Sequence, residues 1–167
     1  MPWTEEQRAT AQGAYDASRL AVGLAGGALT TLSDAQRARL QLATGAAGQA
    51  LAARGAAVVS GPVTLPTNQT EATALVRAAW EVREAFADLT PILRANASAE
   101  DRAALADAGW RQAAETLDAV DWPAVHALPD VVQFTLIPEP RERRRRGRKG
   151  MGLLLGLAAL LLLTMKK

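Results

Sequence analysis

Thr70-Glu-Ala-Thr-Ala-Leu-Val-Arg-Ala-Ala-Trp-Glu-Val-Arg-Glu-Ala-Phe-Ala-Asp-Leu89 is the stretch whose reading decides the fold. Ala72, Leu75, Ala79, Val82, Phe86 and Leu89 recur at alternating spacings of 3 and 4. That spacing lays an apolar seam along one face of an α-helix. Thr70 is the expected cap of this helix and Pro91 its expected end. A second seam follows after a short connection. Ser98 supplies its cap, Glu100 and Asp101 sit in its first turn, and Ala99, Ala103, Ala106, Trp110, Ala113, Leu117 and Val120 continue it. Two matched seams joined so closely predict an antiparallel helical hairpin.

Upstream, the pattern repeats. Thr4 and Gln7 form a capping box, and a helix is expected from Glu5 to Gly26 or Gly27. Ala14, Ala17, Ala21, Leu24 and Ala28 make one stripe; Tyr15, Val22 and Leu29 make another. Ser33 with Gln36 opens the next helix, expected to run to Arg54 with Gly55 as its stop. Gly45 and Gly48, beside Ala46, Ala47 and Ala50, read as a place where a neighbouring helix approaches closely. Gly23 and Gly27 read the same way. Residues 56–69, with Gly61-Pro62 and Leu65-Pro66, read as a long loop between two hairpins.

Downstream, Trp122 to Leu128 suits one short helical turn with Pro123 near its start. Val131 to Ile137 is apolar and β-prone and reads as an extended segment packing back on the helices. The fold class is therefore all-α: about four helices in an Ala-rich antiparallel bundle, a short extended segment, and a C-terminal hydrophobic helix. Alanine fills 37 of 167 positions, whereas aromatics make up 4%. Alanine buries little area, so the core is thin.

Charge divides the chain into unlike parts. Residues 1–138 carry 10 Arg and 15 Asp or Glu, a net of −5; residues 139–167 carry 9 cations and 2 acids, a net of +7. We take 1–138 as the helical domain, 139–150 as a basic juxtamembrane linker and 151–167 as a hydrophobic anchor. Arg141, Arg143, Arg144, Arg145, Arg146, Arg148 and Lys149 place seven cations in nine residues. Gly150 to Met165 follows without a charge and holds Leu153, Leu154, Leu155, Leu157, Leu160, Leu161, Leu162 and Leu163; Lys166 and Lys167 come last.

A helix apolar on every side has no solvent face. Eight leucines at the centre of a bilayer contribute about −2.4 to −4.8 kcal/mol on an insertion scale. Sixteen residues reach only about 24 Å against about 30 Å of hydrocarbon, a deficit that lysine snorkelling and local thinning offset. The cations before the run fit anionic lipid head groups. They outnumber those after it, which holds the body on the cytoplasmic side. The N-terminus shows no signal-peptide pattern, so a tail anchor, or the internal membrane of a virion, is the expected location. Gly152 and Gly156 form a G-x-x-x-G that suits pairing of two such helices.

Other chemistry finds little support. There is no Cys and one histidine, His126. Disulfides, thiolate sites and multi-histidine zinc sites are excluded. His126 lies near Asp121 and Asp130 but reads as a structural histidine at a helix end. Glu81, Glu84 and Asp88 lack the Glu-x-x-His companion of a di-metal bundle. Asn68 and Asn96 match glycosylation sequons and read more simply as parts of helix caps. No cofactor and no catalytic residue are expected. The expected function is structural: a membrane-anchored protein that docks partners or copies of itself at a bilayer. A minor virion protein joining a capsid to an inner membrane is one version, and the Ala and Arg bias suits a GC-rich bacterial or phage genome. The alternative is a nucleic-acid-associated packaging or assembly factor. Its Arg-rich linker would meet phosphates and its tail would be buried in protein.

Overall fold

The computed structural model describes residues 2–131. Six helices follow one another: α1 (Glu5–Thr31), α2 (Asp34–Ser60), α3 (Gln69–Asn96), α4 (Ala99–Asp107), α5 (Trp110–Asp118) and α6 (Trp122–His126). No strand occurs among the described residues. The extended segment expected at 131–137 lies, beyond Val131, outside them.

Local chemistry sets each start. Both expected capping boxes form: Gln7 N–H donates to Thr4 Oγ1 at 3.2 Å, and Gln36 N–H donates to Ser33 Oγ at 3.2 Å. In each, the glutamine side chain accepts from the cap's own N–H. The cap of α3 is Asn68 rather than Thr70, because its Oδ1 accepts from the N–H groups of both Thr70 and Glu71. Ser98 caps α4 through Asp101 N–H at 3.0 Å.

Other boundaries depart from the sequence reading. α1 continues past Gly27 to Thr31, and α2 continues past Gly55 to Ser60. Gly55 is buried inside α2 because it faces Val22: a Cβ there would lie 3.3 Å from a Val22 methyl. The loop is correspondingly short, 61–68. α3 passes through Pro91 and ends at Asn96. The proline removes one backbone donor, and the Thr90 hydroxyl bonds the Phe86 carbonyl one turn back at 2.8 Å. The fourth expected helix is two, because Gly109 takes φ 102°, outside the right-handed helical region. Its seam survives in α5, where Trp110, Ala113 and Leu117 are buried. It fails in α4, where Asp101 and Leu105 turn inward and Ala103 and Ala106 are exposed.

Contacts between ends define the topology. Arg8 donates to the Pro66 and Thr67 carbonyls at 3.0 and 2.9 Å, so α1 and α3 start side by side. α2 runs back and makes its most extensive interface with α3. The first turn of α4 is tied to α2 by the Asp101–Arg39 pair, α5 lies along α1, and Trp3 Nε1 closes the circuit on the Pro129 carbonyl at 3.1 Å. Inside, Tyr15 donates its hydroxyl to Val58 O at 3.2 Å, and Ser18 donates to Ala79 O at 3.3 Å. Phe86 stacks on Trp110 at 4.8 Å, and Trp80 meets Trp122 edge-on at 5.6 Å.

One buried carboxylate ties α4 to α2. Asp101, with its side chain 1% exposed, accepts from Arg39 Nε at 3.0 Å and from Arg39 Nη2 at 2.7 Å. The bidentate guanidinium lowers the Asp101 pKa to about 2, against the opposing effect of burial and with help from Ser98.

Two predictions follow from these contacts. The unfolded chain protonates Asp101 first as pH falls, since its folded pKa lies below the ordinary value of 3.8. The stabilisation is therefore full above about pH 4 and disappears as pH drops through about 2. Asp101→Asn is expected to lower the melting temperature at pH 7, with the gap from wild type closing between pH 4 and pH 2. A gap that stays constant over that range contradicts the assignment. Gly61→Ala would drive a methyl into the Tyr15 hydroxyl. Denaturant unfolding should show a loss of roughly 1–3 kcal/mol. The loss should shrink in a Tyr15→Phe background, which removes the overlapping oxygen.

Candidate functional site

α1 and α2 approach closely at Val22 and Gly55 and leave an apolar groove beside that contact. Its volume is about 620 Å³. The α1 wall is Val22, Gly23, Ala25, Gly26, Gly27, Leu29 and Thr30. The α2 wall runs from Arg37 through Leu40, Thr44, Gly48, Leu51 and Gly55 to Ser60. Leu89 and Leu93 of α3, Leu105 of α4 and Trp110 of α5 complete the lining.

The glycines make this space. Among the described residues, a Cβ on Gly23, Gly26 or Gly27 would meet nothing within 4 Å. The sequence reading of Gly23 and Gly27 as a helix-packing pair is thereby corrected: they front the groove rather than a neighbouring helix. Gly45 is corrected too, since a Cβ there also meets nothing. Its role is conformational. With φ 45° and ψ −123° it breaks the helical path of α2 midway along the groove wall.

Chemically the lining is apolar and sparse in reactive groups. Arg37 is its one charged residue among those described, and its guanidinium is held by the Leu32 carbonyl at 2.6 Å and by the Asp34 carboxylate. The hydroxyls of Thr30, Thr44 and Ser60 complete the short-chain polar groups. Trp110, 7% exposed, carries an indole N–H with no acceptor among the described residues. Such a groove can shield apolar groups from water.

Residues singled out in the sequence fall elsewhere. His126 ends α6 and packs against the Trp80 ring at 5.0 Å. Asp121 is occupied as the α6 cap, donated to by Ala124 N–H at 3.1 Å. Glu81 pairs with Arg54, and Glu84 pairs with Arg83. No cluster of potential metal ligands occurs among the described residues. The cationic run Arg141–Lys149, the leucines 153–163 and the pair Gly152 and Gly156 lie outside the described residues. No helix among those described is long and apolar enough to cross a membrane.

The groove itself escaped the sequence reading, because a glycine-rich helix face signals close packing and open space alike. Replacing Gly23 or Gly27 by Ala adds a methyl to open space on a helical backbone. Each change is expected to raise unfolding stability by about 0.5–1 kcal/mol in urea titrations. A loss of stability would mean that the face is packed after all.

Comparison with protein-family models, with curated proteins and with solved structures gives no match for this chain.

Proposed function

We propose that this chain is a membrane-anchored structural or interaction protein. An antiparallel bundle forms the body, and a C-terminal apolar helix tethers it to a bilayer and presents it to partners or to copies of itself. The observation that carries the reading is the uncharged run Gly150–Met165, with eight leucines, fenced by Lys149 on one side and Lys166 and Lys167 on the other. A helix apolar all round is stable only in hydrocarbon or against protein. The run of seven cations directly before it suits the head-group region of an anionic leaflet, at about 1 kcal/mol per cation near the surface. The arrangement keeps the body on the cytoplasmic side, or on one face of an internal virion membrane. Among the described residues, the Arg39–Asp101 pair ties α2 to α4, and the Tyr15 hydroxyl ties α1 to Val58 of α2.

Vesicle flotation tests the reading. The full chain is expected to float with vesicles containing anionic lipid, and a chain ending at Pro140 is expected to stay at the bottom. Leu157→Arg with Leu161→Arg in the full chain costs about 6–8 kcal/mol at the bilayer centre and should abolish flotation. Full-length protein that remains at the bottom removes the membrane reading. If it then retains DNA in a salt-sensitive manner through residues 139–150, the packaging reading takes its place.

A further inference from the structure

The tail that would anchor the chain must also exist in water before it meets a bilayer. We propose that the groove between α1 and α2 holds the apolar segment Gly150–Met165 of the same chain until then. The inference rests on reading that segment as a membrane anchor, and it adds a second, protein-bound state.

Four observations point to this occupant. The groove is apolar, with Leu29, Leu51, Leu89, Leu93 and Trp110 among its lining. Its α1 wall has backbone where side chains would stand, so a helix can come close at Gly23, Gly26 and Gly27. Reach is sufficient. The described chain ends at Val131, two residues past the Pro129 carbonyl that Trp3 holds at the start of α1. From there to the Val22 end of the groove is about 28 Å along α1, at about 1.5 Å per residue. The 18 residues from 132 to 149 span up to about 60 Å when extended. The groove's α2 wall, Arg37 to Ser60, is about 34 Å long, and a 16-residue helix is about 24 Å. Finally, charge is complementary: the body carries −5, and the linker between it and the tail is the strongly basic part of the chain.

The chain has no cysteine, so introduced thiols report without background. Gln41→Cys on the groove wall is combined with Leu157→Cys in the tail of the full chain, and cross-linked by a short bis-maleimide in lipid-free buffer. A control pairs Leu157→Cys with Glu115→Cys, an exposed position on α5. The expected result is a monomeric cross-link for the groove pair, about tenfold above the control. Gly27→Trp, which fills open space, should abolish that excess and leave far-ultraviolet helix content unchanged. Gly23→Trp serves as a second filler if Gly27→Trp fails to fold. A groove pair no better than the control, or one indifferent to both fillers, overturns the proposal. A product containing only two chains also overturns it, by assigning the groove to a second copy. Because no lipid is present, the result is separate from flotation. Cross-linking without flotation keeps the groove and removes the anchor; flotation without cross-linking does the reverse.

Discussion

Alanine on the inner face of α1 is the constraint on which the rest depends. Ala11, Ala14, Ala21, Ala25 and Ala28 are all buried, and α1 packs against α2, α3, α4, α5 and α6. No single helix with large side chains all round could meet that many neighbours at close range. Small residues let helix axes come toward the short end of the usual range of about 8–10 Å. The consequence is a core with little area per residue. Fixed polar contacts supply what volume does not: Tyr15 to Val58, Ser18 to Ala79, and Trp3 to Pro129 each pin α1 to a distant part of the chain. Where alanine gives way to glycine, at Gly23, Gly26 and Gly27, the helix no longer fills the space beside it and the groove opens. Closure on one side of α1 and opening on the other come from the same economy of side-chain volume.

The Arg39–Asp101 pair is a different kind of restraint. A carboxylate buried at the first turn of a nine-residue helix is costly unless every lone pair finds a donor. Asp101 meets that demand with two guanidinium bonds and the Ser98 cap. Arg39 is half exposed, so the pair keeps part of its hydration. Removing the guanidinium leaves a buried charge uncompensated, whereas burial of a leucine there would leave α4 free to slide. The pair therefore ties the first turn of α4 to α2, and Leu105, one turn further along α4, lines the groove.

Much of the helical framework was legible because periodicity and capping are local. In α3, Ala72, Ala79, Val82, Phe86 and Leu89 are buried as their spacing requires, with Leu75 partly so. Thr4, Ser33 and Ser98 cap where their hydroxyls can reach a turn ahead. The errors lie where a residue's role depends on something distant. Gly55 resembles a helix stop until Val22 is seen to press on it. Gly109 sits inside an unbroken 3–4 pattern, and only its backbone angle divides the helix and turns α4 onto another face. Pro91 is tolerated because a helix that already packs on its neighbours can lose one hydrogen bond. The groove was illegible for a related reason: the absence of a side chain does not say whether a neighbour or a void takes its place.

Energetic direction would make the groove and the proposed anchor compatible in one chain. A groove covers one side of a helix, and the Gly150–Met165 run is apolar on all sides. Docked on protein, such a helix would leave a strip of leucine facing water; in hydrocarbon it would leave none. A protein-bound state on an open groove would thus be the weaker of the two. A ligand or phase moves an equilibrium only by its differential affinity for the two states. Here the difference is the area of leucine that the groove leaves wet. A deeper groove, one that enclosed the helix completely, would retain the tail and defeat the anchor. Under the proposal, the glycine-walled groove between α1 and α2 would give shelter that can be given up, because the absence of side chains that lets a helix approach also limits the binding surface.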